Sequence, residues 1–133
     1  MFFLKIFYFL FGIIFGSFLN VIIYRIPNSL SIVYPRSFCI KCNKKIPFYY
    51  NIPILSYLIL LGKCNNCKKK ISLQYPLVEL IVGFIFVYYL NKYNFSFEST
   101  LLIIISCLLL AIAFIDYNYF LIPLSLSAIL LVN

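Results

Sequence analysis

Apolar residues in this chain gather in long runs with little alternation, and the polar residues are concentrated between the runs. From Ile6 to Tyr24 no residue is charged, and such a stretch as a helix reaches across a hydrocarbon core of about 30 Å. A second run extends from Tyr75 to Leu90, with Pro76 at a helix start and Glu79 near one end. A third spans Ser99 to Ile115 and is closed by Asp116, the single aspartate. Tyr117 to Asn133 is again uncharged, broken by Pro123, and reads as the start of a fourth span. Between the first two runs lies a polar segment, Arg25 to Gln74, with one short apolar stretch from Ile52 to Leu61. That stretch is too short to cross a membrane as a helix, so it packs on the loop's own fold or lies at the interface. The pattern predicts an all-α polytopic membrane protein with three to four transmembrane helices and a cysteine-bearing loop.

Composition agrees, with 65% of the 133 residues hydrophobic, 20% aromatic and only 11% charged. A water-soluble domain of this size has too little interior for so many apolar side chains, and the balance excludes a disordered chain. A secretory signal peptide is the rival reading of the first run, but no small-residue cleavage site follows it. Gly12, Gly16 and Asn20 recur every fourth residue within that run. They form a helix face suited to close packing, unless their spacing is accidental.

Eleven basic residues against three acidic give a formal charge of +8, and eight of the eleven lie between Arg36 and Lys70. Basic loops beside membrane helices stay cytoplasmic and favour anionic headgroups, which accounts for the excess without nucleic acid. With that loop inside, the N-terminus and Asn91 to Glu98 face outward, and Asp116 returns to the cytoplasmic boundary. There is no histidine, so histidine catalysis is excluded.

Four of the five cysteines form two pairs, Cys39/Cys42 and Cys64/Cys67, each a CxxC knuckle. Two knuckles complete the tetrahedral sulfur shell that zinc favours. An internal echo strengthens the pairing, because Cys39-x-x-Cys42-x-Lys-Lys-Ile46 returns as Cys64-x-x-Cys67-x-Lys-Lys-Ile71. Structural zinc is the expected occupant. A rubredoxin-like iron uses the same ligands, and two disulfides or reduced thiols are the plainer alternatives, disulfides being disfavoured in a reducing cytoplasm. Cys107, alone in the third run, reads as a buried structural thiol.

Taken together, several segments resemble the type IV prepilin peptidases, the bacterial leader peptidase/N-methyltransferases. They are Gly16-Ser-Phe-Leu-Asn-Val-Ile-Ile-Tyr-Arg-Ile-Pro27, the two knuckles, Asn51-Ile-Pro-Ile-Leu-Ser-Tyr57, Gly62-Lys-Cys64, Tyr75-Pro-Leu-Val-Glu79, and Phe114-Ile-Asp116 with Pro123 seven residues on. The resemblance covers most of residues 12–123 and matches the N-terminal half of such enzymes. It implies a multi-pass protein of the bacterial inner membrane, an aspartic endopeptidase that cuts basic leaders from type IV pilins and from the pseudopilins of type II secretion. It further implies methylation of the new N-terminus from S-adenosylmethionine. By the same resemblance, Asp116 is the first catalytic aspartate, Gly62 and Glu79 are methyltransferase-associated, and Cys39, Cys42, Cys64 and Cys67 hold metal.

The expected organisation is a first transmembrane helix over 1–24, a cytoplasmic zinc-binding loop over 25–74, and helices 2 to 4 over 75–133 with the start of the peptidase domain. Two departures accompany it. Leu124 follows the proline where the family usually has Asp or Asn, and the family's second aspartate, in a Gly-x-Gly-Asp motif, is not among these residues. Aspartic proteolysis needs two carboxylates sharing a proton. A second chain or a homodimer would have to supply the other; otherwise the chain is an inactive remnant or a zinc-binding membrane protein that binds partners.

Overall fold

The computed structural model describes residues 1–119 and 131. Its helices are α1 (Phe2–Arg25), α2 (Leu55–Ile59), α3 (Gln74–Tyr93) and α4 (Phe97–Tyr119), with one 3-10 turn at Phe48–Tyr50. Three of them, α1, α3 and α4, are long and apolar enough to cross a membrane. Lipid offers backbone groups no hydrogen-bond partners, so uncharged runs of this length satisfy their amides internally as helices. Each long helix exceeds the apolar run that announces it. α4 in particular continues through Asp116 to Tyr119, because a carboxylate at a helix surface does not end the hydrogen-bond ladder. Tyr117 to Tyr119, expected to open a fourth span, are therefore the last turn of α4; the remainder of that span lies outside the described residues.

α3 and α4 are joined by Asn94 to Ser96 alone, so they run antiparallel. Ser96 and Ser99 close the junction reciprocally: the Ser99 amide donates to Ser96 Oγ (3.2 Å) and the Ser96 amide donates to Ser99 Oγ (3.0 Å). At the opposite end, Asn118 Nδ2 donates to Gln74 Oε1 at 2.6 Å, and Asn28 Nδ2 donates to Tyr119 Oη at 3.1 Å. The C-termini of α1 and α4 and the start of α3 thus share one end of the bundle, where the cysteine loop also begins and ends.

α1 packs on α3 along the face the glycines marked. A Cβ on Gly12 would stand 2.7 Å from Gly83 Cα, and one on Gly16 would stand 2.8 Å from Glu79 Cα. Backbones this close gain dispersion contacts that larger residues would forbid. Around the seam, Leu19, Ile23, Val78, Val82, Phe86, Ile103, Cys107, Ala111 and Ile115 form the buried core. Phe3, Phe7, Phe84 and Leu109 point outward and are exposed. An outward apolar surface of this kind is costly in water and neutral in hydrocarbon.

Candidate metal centre and the cavity beneath it

The two knuckles are built alike. In the first, the Cys39 amide donates to Lys44 O (2.9 Å) and the Asn43 amide to Cys39 O (2.8 Å); in the second, Cys64 donates to Lys69 O (3.0 Å) and Lys68 to Cys64 O (3.0 Å). Asn43 and Lys68, 25 positions apart like the knuckles themselves, both take φ +57°. Bridges Phe38 to Lys45 and Lys63 to Lys70 close the two hairpins at equivalent places. The sequence echo is thus a structural repeat.

The repeat brings the four sulfurs together, all within 4.8 Å of one another. Cys39 Sγ lies 3.8 Å from Cys67 Sγ, and Cys42 Sγ lies 4.0 Å from Cys64 Sγ. A tetrahedral zinc with bonds of about 2.3 Å requires sulfur separations of about 3.8 Å. All five cysteines are free thiols, which leaves the disulfide alternative without support. The donor set therefore fits a metal, with four sulfurs filling a closed shell. Their environments differ. Burial pushes the Cys39 thiol up to about 11. The backbone amide of Cys67, helped by that of Asn66, holds Cys64 down to about 6, and the Lys44 amide lowers Cys42. Thiolates held by amides at a turn are prepared ligands.

Gly62 precedes the second knuckle at φ +68°, and a Cβ there would meet Tyr57 Oη at 2.8 Å. Its amide donates to Tyr57 O at 2.9 Å and its carbonyl accepts from the Ile71 amide at 2.7 Å. Glycine is needed at this position on conformational and steric grounds together. Glu79 is buried on α3, and its Oε2 accepts from the Ile54 amide at 2.7 Å. Its partner is loop backbone, not a lysine. This bond pins the start of α2, where Ile54 holds φ +63°, onto the bundle. The Ile52 to Leu61 stretch accordingly packs through α2 on the bundle end, with Ser56 buried and Leu58 and Leu61 exposed.

Between the loop and the bundle end lies a cavity of about 790 Å³, bordered by Asn20, Ser56, Tyr75, Glu79, Asn118 and the knuckles. Arg25, whose importance the charge pattern did not reveal, is buried beside it. The guanidinium donates to Ser31 O (2.8 Å) and Pro35 O (2.6 Å), and rests 5.8 Å from the Phe38 ring. It thereby staples the start of the loop to α1. Asp116 stands apart: it is exposed on α4, at the cysteine end but not in the wall of the cavity. The structure gathers Gly62, Glu79 and the four cysteines around one space and leaves Asp116 outside it.

Residues 10–93 match the family model described as the bacterial peptidase A24 N-terminal domain. Relatives named prepilin leader peptidase/N-methyltransferase include one from Myxococcus xanthus, 42% identical over 92% of this chain and 36% of the relative. One from Neisseria gonorrhoeae is 36% identical over 79% of this chain and 45% of its own length, and one from Bacillus subtilis is 38% identical over 86% and 46%. The chain spans less than half the length of these relatives. No solved structure matches it. With two thirds of its helical seam, both knuckles and the Glu79 clasp inside the matched residues, the chain belongs to the bacterial A24 peptidase N-terminal domain family.

Proposed function

We propose that this chain is the N-terminal portion of a prepilin leader peptidase/N-methyltransferase of the bacterial inner membrane. The loop faces the cytoplasm, the substrates are leader peptides of type IV pilins or pseudopilins, and methyl groups come from S-adenosylmethionine. The observation that carries the reading is the cavity with a buried carboxylate beneath a four-cysteine cap, in a chain whose relatives bear that name. Zinc bound by Cys39, Cys42, Cys64 and Cys67 is structural, because a closed sulfur shell keeps no position for water.

The division of labour follows from position. A leader's basic residues remain in the cytoplasm while its apolar helix enters the membrane, so its scissile bond comes level with the aqueous boundary where Asp116 sits. Asp116 is one of two carboxylates that activate water there; the other comes from outside these 133 residues, on the same polypeptide, a partner chain or a second copy. Glu79 and Gly62 belong to the methyl-transfer half. Glu79 keeps the loop seated over the cavity, and Gly62 lets the chain turn back into the second knuckle.

The test is expression of this chain, alone and with the sequence encoded downstream, in a host lacking its own prepilin peptidase. Cleavage of prepilin on a gel is expected only in the second case, and Asp116→Asn abolishes it. Cleavage that survives Asp116→Asn would leave the family's other role, a metal-binding membrane protein that engages partners, as the better reading.

A further inference from the structure

Two polar atoms in the cavity are buried without a partner, Asn20 Oδ1 and Ser56 Oγ, on residues that are 2% and 7% exposed. Burying such an atom unpaired costs about 1 to 3 kcal/mol, so it signals a missing partner. Asn20 is fixed in orientation because its Nδ2 donates to Tyr75 O at 3.0 Å, which leaves the carbonyl oxygen as a pure acceptor. Glu79 lines the same space with one carboxylate oxygen occupied by the Ile54 amide. The nearest buried cation, Arg25, is spent on the carbonyls of Ser31 and Pro35. The inner wall therefore offers an amide oxygen, a carboxylate and a hydroxyl, and lacks a free cation to match them.

We propose that this wall seats a primary ammonium group, with Asn20 Oδ1 and Glu79 accepting its N–H bonds and Ser56 Oγ as the third partner. A group with three donors matches these acceptors, whereas an anion would meet Glu79 unfavourably. The inference rests on the methyl-transfer reading and identifies what that half of the protein must hold. Two sources carry the chemistry: the N-terminus freed by leader cleavage, and the α-ammonium of the methyl donor's amino-acid portion.

Binding in lipid nanodiscs tests it without turnover. Two pairs of probes are used: an apolar peptide with a free N-terminus against its N-acetylated form, and S-adenosylmethionine against its analogue lacking the amino group. At least one free-amine probe should bind about tenfold more tightly than its capped counterpart; the pair that discriminates identifies the source. Ser56→Ala and Asn20→Leu should each erase most of that preference. Ser56→Ala removes an unpartnered hydroxyl, so it should leave the unfolding temperature unchanged or raised, which separates loss of the site from loss of fold. Equal binding of free and capped forms in both pairs, or a preference untouched by Ser56→Ala, would overturn the proposal and leave the cavity to water. Preserved amine preference in a protein that transfers no methyl group would instead sink the enzymatic reading and keep the site.

Discussion

The membrane bundle and the cysteine loop are held together by different physics. In the bundle, glycines bring α1 and α3 into backbone contact and a continuous set of Ile, Val, Leu and Phe side chains closes around the seam. The loop, from Ile26 to Leu73, buries only Ser56 and Gly62 and has no apolar core. Its order depends on four convergent sulfurs and on fasteners reaching in from the helices, Arg25 at its start and Glu79 in its middle. A segment of this size that buries so little apolar surface does not offset its conformational entropy unaided; a metal supplies the difference. Perturbations should therefore separate the two regions.

The largest effect is expected at the seam. Gly12→Val places branched carbon where even a Cβ would come within 2.7 Å of Gly83 Cα, and it should separate α1 from α3 at a cost of about 3 kcal/mol or more. Thermal unfolding in detergent would show this as a large drop in midpoint. Next comes the metal. Cys42→Ser or Cys67→Ser should reduce bound zinc from one per chain to near none by elemental analysis, while Cys107→Ser, in the bundle core, leaves the stoichiometry at one.

A smaller change is expected from Arg25→Lys. An ammonium cannot span both the Ser31 and Pro35 carbonyls as the planar guanidinium does, so about 1 to 2 kcal/mol of loop docking is lost. Limited proteolysis between α1 and the first knuckle should accelerate, with the bundle midpoint little changed. The mildest prediction concerns reactivity in the metal-free protein. Cys64 is lowered to about 6 and Cys39 raised to about 11, so at neutral pH the first is thiolate and the second thiol. Alkylation followed by mass spectrometry should therefore modify Cys64 well before Cys39, and the advantage should vanish as pH falls below about 6.

The same contrast explains what could be read from the sequence. Helices in lipid are written in uncharged runs, and the knuckles in cysteine spacing, so the three spans and the sulfur cluster were legible directly. The four-residue recurrence of Gly12 and Gly16 marked the contact face correctly. Helix ends were less legible, because α4 runs past Asp116 with no sequence signal that it should. Least legible were contacts between distant segments. Nothing local to Glu79 indicates that it accepts from the Ile54 amide, and nothing local to Arg25 indicates two carbonyl partners in the following loop. Asn20 was visible only as a small polar residue on the glycine face; its unpartnered oxygen emerges once the loop folds over it.

Hydrogen exchange on the zinc-loaded protein, before and after chelation in nanodiscs, separates the two regions most directly. Amides such as Asn43, Lys68 and Ile71 should be protected with metal and lose protection when it is removed, while the centres of α1 and α3 remain protected in both states. A loop that stays protected without metal, or a bundle that opens together with it, would contradict a cap clamped by metal over an independently packed membrane core.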